Sequence, residues 1–149
     1  MMSQREHRLF LDISDRPRLQ SPGEAVGIAV ENAPDVNQEW LVIFFLTRHY
    51  QALPESLLIT DLGCTEVLDP QPYLRRAIDV HAAILLPVRY HPHRWGHLTR
   101  HGLQAYEYWR ACTEAAGMSL YDALVIDAEG GYFSMSGRDR WEKWTPSEG

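Results

Sequence analysis

The chain has 149 residues with 45% hydrophobic and 23% charged side chains, an ordinary globular balance that favours one domain and leaves no room for a second. The net charge of -6 argues against a strong non-specific grip on DNA, and two cysteines are too few for a disulfide framework. No apolar run reaches the roughly 18 residues of a membrane span, and the N-terminus lacks the apolar core of a secretory signal. We therefore expect a cytoplasmic protein with no membrane partner.

The first half of the chain predicts one helix and two strands. The first 20 residues are polar and predict an irregular arm or a short edge element. Ser21 has the place of an N-cap, with Glu24 completing a capping box, and the helix is expected to end before residues 32–35. The apolar run 40–46 predicts a central strand, and 52–59 predicts a second strand broken by Pro54.

The second half predicts two helices and three strands. One helix begins at residues 69–72, with one face formed by Leu74, Ala77, Ile78 and His81. A strand over 83–88 and a loop over 89–98 follow. Thr99 is expected to cap a helix that Gly117 ends, with a buried stripe of Leu103, Tyr106, Trp109, Cys112 and Ala116. A strand over 120–126, a turn at 129–131 and a last strand over 132–135 complete an α/β fold with a mixed sheet.

Short segments of the chain resemble, in order and spacing, the RadC family, the bacterial branch of the JAB/MPN metalloprotease fold. These segments are 21–25, 38–42, 46–48, 67–70, 76–78, 82–86, 116–122 and 130–135. The resemblance implies a JAB/MPN-like (cytidine-deaminase-like) mixed sheet flanked by helices. It places an N-terminal arm at 1–20, the RadC-like domain at 21–135 and a C-terminal tail at 136–149.

The family's chemistry lies in one motif: His-x-His-Pro, a Ser eight residues after the second His, and an Asp three residues later. The two His and the Asp bind zinc, and an upstream glutamate acts as base on the zinc-bound water. In this chain His91 matches the second His, and Thr99 stands at the Ser position. Arg89 replaces the first His and Gly102 replaces the Asp, while Glu39 resembles the family glutamate.

The resemblance therefore leaves Glu39 and Thr99 at the catalytic positions and one metal ligand of three. One imidazole cannot hold zinc, and a guanidinium at a ligand position repels it. We expect a pseudoenzyme with a degenerate JAMM motif and no cofactor. It would bind a protein or peptide through the former active-site groove or an exposed strand edge. The family also suggests a link to DNA repair or mobile elements.

Two other functions remain open. A zinc site could be rebuilt from His91, His97 and His101, which would give a JAMM-type metallopeptidase or isopeptidase. The spacing of His97 and His101 fits a zinc-binding pair on a helix. If Thr99 caps the helix, however, His97 lies outside it and this geometry is lost. Alternatively, Arg89, Arg94 and Arg100 could bind nucleic acid without metal, although the acidic net charge does not favour this partner. Homo-oligomers are also possible partners, through the aromatic residues Trp95, Trp141 and Trp144.

A further hypothesis concerns Glu39 and Arg89. A buried glutamate needs a partner, so the guanidinium of Arg89 would occupy the metal position and pair with Glu39. The alternative is that Glu39 is an exposed residue at the start of a strand. A separation of more than about 4 Å without a bridging water would exclude the pair.

Overall fold

A computed structural model describes residues 5–11, 19, 21–33, 38–60, 62, 68–90, 100–127 and 131–135, without the side chains of 100–102 and 133. Seven strands and three helices lie within this part of the chain. They are β1 (Arg5–Phe10), α1 (Pro22–Asn32), β2 (Trp40–Leu46), β3 (Ala52–Thr60), α2 (Gln71–Asp79), β4 (Ile84–Tyr90), α3 (Arg100–Ala115), β5 (Ser119–Leu120), β6 (Leu124–Ile126) and β7 (Tyr132–Ser134). No helix of the described residues is both long and apolar enough to cross a membrane.

The described strands form one mixed sheet in the order β1-β3-β2-β4-β6-β7, with β5 beside β4. The pairs β1–β3, β2–β3, β2–β4 and β6–β7 are antiparallel, whereas β4 pairs with β5 and β6 in parallel. All seven residues of β2 are buried, as expected for a strand with neighbours on both sides and helices on both faces. This architecture confirms the predicted α/β class.

Alternation along β2 divides the core into two layers. Trp40, Val42 and Phe44 contribute to a cluster that includes the buried side of α1. Leu41 and Ile43 contribute to the opposite cluster, which includes the buried residues of α2 and α3. Side chains of the odd-numbered residues of β2 therefore face α2 and α3.

The predicted helix ends are confirmed where they can be compared. The Ser21 hydroxyl accepts a hydrogen bond from the Glu24 amide at 3.2 Å, which satisfies one of the free donors at the start of α1. The Asp69 carboxylate accepts a hydrogen bond from the amide of Gln71 at the start of α2. Gly117 follows α3 with a φ of 84°, a conformation that a residue with a Cβ adopts at a cost.

The predictions for buried helical faces were partly wrong. On α2 the buried residues are Tyr73, Leu74 and Ala77, whereas Ile78 is 53% exposed. The helix ends at Asp79, so His81 lies beyond it and is exposed.

On α3 the buried stripe consists of Tyr106, Trp109 and Thr113, with Cys112 partly buried. Leu103 and Ala116, which the pattern assigned to this stripe, are exposed. The predicted cap at Thr99 lies outside the described residues.

Three strand predictions need correction. β3 is continuous through Pro54, although its register with β2 shifts between Phe44 and Leu46. β4 extends to Tyr90, so Arg89 belongs to a strand and not to the predicted loop. The predicted strand over 120–126 is divided into β5 and β6. Buried Asp122 lies in this interruption, where its carboxylate accepts hydrogen bonds from the Ala123 amide at 2.7 Å and the Ser134 hydroxyl at 2.5 Å.

The N-terminal segment provides an edge strand, one of the two forms expected for it. β1 pairs with β3 from Arg5 opposite Thr60 to Phe10 opposite Glu55. The boundaries at 20/21 and 135/136 stay predictions.

Candidate functional site

Two charged residues of opposite sign lie on the sheet face that α2 and α3 cover. Arg89 on β4 is directly opposite Leu41 on β2, and Glu39 precedes Leu41 by two positions. Opposite residues on paired strands share a face, and so do residues two apart along one strand. Glu39 and Arg89 are therefore diagonal neighbours, a separation that a long side chain can cross.

The two side chains form an ion pair. The Arg89 Nη2 atom lies 3.5 Å from Glu39 Oε2, and the side chains are only 12% and 11% exposed. The separation is below the limit of about 4 Å that would have excluded the pair. Glu39 is thus a largely buried, paired residue, and the alternative that it is an exposed residue at a strand start was wrong.

Tyr73 of α2 lies within the electrostatic influence of this pair. Burial, together with the nearby carboxylates of Glu6 and Asp69, raises the pKa of Tyr73 to about 12, and the positive charge of Arg89 opposes this rise. The ring stacks on Trp109 with centroids 5.9 Å apart, and the Trp109 indole donates to the Leu68 carbonyl at 2.8 Å. These contacts fix α2 against α3 and hold a neutral phenol within the electrostatic influence of Arg89.

A groove with a volume of about 430 Å³ opens between β1 and α2. Its lining includes Glu6 of β1 and the polar residues Asp69, Gln71, Arg75, Arg76 and Asp79. Glu6, Ile59, Leu41 and Arg89 are consecutive partners across β1, β3, β2 and β4. Because neighbouring strands are about 4.8 Å apart, the groove lies roughly 14 Å from the ion pair on the same face of the sheet.

The model of the RadC-like JAB domain family matches residues 19–141. The chain belongs to this family. A search of the curated proteins finds no match. The match spans the sheet from β2 to β7 and both helices beside the Glu39–Arg89 pair, and it confirms the resemblance seen in the sequence.

The structure describes only part of the RadC motif. Among the positions assigned from the sequence, Glu39 and Arg89 are described, while His91, His97 and Thr99 lie outside the described residues. His101 and Gly102 belong to α3, but the side chain of His101 is not described. Within the described residues no group of three His, Cys, Asp or Glu side chains is placed to hold a metal ion. The predicted metal set of His91, His97 and His101 therefore stays a prediction.

The residues predicted for other roles give a mixed result. Arg89 is held by Glu39, while Arg94 and the side chain of Arg100 lie outside the described residues, so the proposed nucleic-acid contacts stay untested. Cys112 packs at the margin of the core, as its helical position predicted. His49 is exposed.

Sequence reasoning missed Tyr73 and the groove. Tyr73 lies three and four positions from Arg76 and Ala77, so its place on the buried side of α2 follows helical spacing. The groove could not be found in the same way because it joins β1 to α2, which are more than 60 residues apart in the chain.

Proposed function

We propose that this chain is a metal-free, non-catalytic RadC-like domain that binds a protein or peptide. The observation that carries the proposal is the ion pair between Glu39 and Arg89, with 3.5 Å between Oε2 and Nη2. It joins the residue at the family's base position to the residue at the family's first ligand position.

The chemistry of these two residues does not fit the zinc site that the family implies. A guanidinium has five N–H donors, no lone pair for a metal and a permanent positive charge. A cation close to Arg89 would be repelled, and the carboxylate of Glu39 is already held by that guanidinium. Gly102, at the position of the third ligand, has no side chain at all. We therefore derive no hydrolytic step for this chain.

The groove between β1 and α2 supports a role in binding. It offers carboxylates of Glu6, Asp69 and Asp79 together with guanidinium groups of Arg75 and Arg76. Mixed charges around a groove on a sheet face fit a polar peptide segment, whereas a phosphate backbone needs a surface of one positive sign. We assign the peptide to this groove; the family's link to DNA repair or mobile elements stays a prediction.

Rebuilding the family's motif tests why metal is lost. The double substitution Arg89→His and Gly102→Asp restores all three ligand types, and we expect the variant to take up about one equivalent of zinc. Arg89→His alone is the matched control, because it removes the repelling charge but supplies only two ligands. The proposal fails if the unmodified chain takes up as much zinc as the double variant.

Peptide binding tests the second half of the proposal. A random-peptide display library, selected against the immobilised chain, should yield binders whose affinity is unchanged by EDTA. Arg75→Glu should weaken such binders at least about tenfold, since it reverses a charge in the groove. Arg110→Glu, an equal change at an exposed position on α3, should leave them unaffected. Binders that depend on zinc would favour the metallopeptidase instead, and a steep salt slope for duplex DNA would favour nucleic acid.

A further inference from the structure

The outer edge of β1 carries a pattern of backbone groups and charges that is complementary to itself. Among the described residues, β1 pairs with β3 alone and ends the sheet. Five of its six residues are exposed. An edge strand with free N–H and C=O groups can accept another strand, and its side chains determine which one.

The direction of the backbone groups follows from one hydrogen bond. The amide of Leu11, just after β1, donates to the carbonyl of Pro54 at 2.8 Å. In an antiparallel ladder only alternate residues direct their N–H and C=O groups towards a given neighbour. The odd-numbered residues of β1 therefore direct their backbone N–H and C=O groups at β3, as Leu11 does. The even-numbered residues Glu6, Arg8 and Phe10 direct theirs at the outer edge of the sheet.

We propose that β1 binds β1 of a second copy of this chain, antiparallel and around a two-fold axis at His7. In this register Glu6 lies opposite the partner's Arg8, and Arg8 lies opposite the partner's Glu6. Each is a pair of residues with outward backbone groups, so hydrogen bonds and opposite charges coincide in the same pairs. The symmetry gives every such contact twice.

The neighbouring symmetric registers are worse. A shift in one direction places Glu6 opposite the partner's Glu6, and a shift in the other places Arg8 opposite the partner's Arg8. Like charges directly opposite on paired strands are destabilising. The register around His7 is the one of these three in which both charged residues face an opposite charge.

The existing contacts of the two residues permit this pairing. Arg8 already lies 3.0 Å from Glu55, but its side chain is 53% exposed and a guanidinium has donors for two carboxylates. Glu6 is exposed and makes no ion pair with another described residue. A contact of two six-residue strands is smaller than a standard interface, so we expect a dissociation constant of about 10 µM to 1 mM.

Charge reversal on β1 provides the test, because it predicts a loss and a recovery. Glu6→Arg and Arg8→Glu should each raise the dissociation constant of the dimer at least about tenfold, measured by sedimentation equilibrium. The double variant carrying both changes should dimerise again, since its opposite charges still face each other. An equimolar mixture of the two single variants should form a heterodimer for the same reason.

Arg110→Glu combined with Glu114→Arg is the matched control, because this pair is exposed on α3. It should not change association. The proposal is overturned if the chain stays monomeric up to millimolar concentration, or if the single reversals associate as the unmodified chain does. It is also overturned if neither the double variant nor the mixture recovers association. Glu6 also lines the peptide groove, but Arg8 does not, so the reversal of Arg8 tests the dimer separately from the metal and peptide experiments.

Discussion

The ion pair between Glu39 and Arg89 should contribute measurably to folding stability. The perturbation is a double-mutant cycle with Glu39→Gln, Arg89→Met and both together. Both side chains are about nine-tenths buried, so removal of one partner takes away an opposite charge from the other in a site with little access to water.

The expected magnitude follows from distance and burial. At 3.5 Å and an effective dielectric constant near 20, the attraction is about 5 kcal/mol before desolvation is subtracted. Breaking a buried pair by removing one partner costs about 3–5 kcal/mol, whereas removing both partners costs less than the sum of the two single changes. We therefore expect the free energy of unfolding to fall by about 3 kcal/mol in each single variant, with a coupling energy of about 2–3 kcal/mol.

Urea unfolding at neutral pH measures these free energies, and the chain offers a control at almost the same distance. Arg110 and Glu114 lie 3.4 Å apart on α3, but their side chains are 49% and 60% exposed. The same cycle at this pair should give a coupling of about 0.3–0.5 kcal/mol. A coupling at Glu39 and Arg89 no larger than at the control pair would refute the argument that burial strengthens it.

Three further predictions concern the surroundings of the site and the start of α1. Because the pKa of Tyr73 is raised to about 12, the native state retains its proton while the unfolded state loses it. The contribution of Tyr73 to the free energy of unfolding is therefore fully present below about pH 10. Between pH 10 and 12 the free energy of unfolding of the unmodified chain should fall by roughly 2–3 kcal/mol relative to that of Tyr73→Phe. Parallel pH profiles of the two proteins would contradict this. Trp109→Phe should lower the free energy of unfolding in urea by about 2 kcal/mol, because the Leu68 carbonyl loses its buried donor. The control Tyr108→Phe, at an exposed position, should lower it by less than about 0.5 kcal/mol. Equal losses in the two variants would exclude a stabilising hydrogen bond from the indole. Ser21→Ala should lower the free energy of unfolding by about 1 kcal/mol, because α1 loses its N-cap, whereas Ser21→Asp keeps a capping side chain and should not lower it. An alanine variant as stable as the unmodified chain in thermal unfolding would count against the cap.

The sequence predicted the elements whose signals are local. The run from Trp40 to Leu46 is apolar at every position, and a segment buried on both faces needs no pattern from elsewhere to be found. Ser21 and Gly117 mark helix ends because capping and positive φ depend on one or two residues.

The predictions that failed depended on tertiary contacts. The apolar residues Ile78 and Leu103 fit a helical stripe in the sequence. The sheet packs against other residues of α2 and α3, however, so the side chains of Ile78 and Leu103 remain exposed. The run 120–126 looks continuous, yet the buried hydrogen bonds of Asp122 occupy the position where the strand is interrupted. Pro54 was expected to break its strand, but it lies where the register of β3 with β2 shifts, and such an irregularity tolerates a residue without an N–H.

The site was predicted to the extent that the family's motif fixes it. Opposite charges at Glu39 and Arg89 suggested the pair, and the register of β2 and β4 brings the two residues within reach. Helical spacing places Tyr73 on the buried side of α2, but the groove was missed because its two sides, β1 and α2, come from distant parts of the chain. Spacing in the sequence contains no signal for such contacts.

The zinc content of the purified chain, without a histidine tag, tests the central claim most directly. Elemental analysis after dialysis against zinc-containing buffer should find below about 0.1 equivalent per chain, because the proposal leaves only His91 of the family's three ligands. About one equivalent of zinc, lost on His91→Ala, would contradict the account and establish a rearranged metal site in its place.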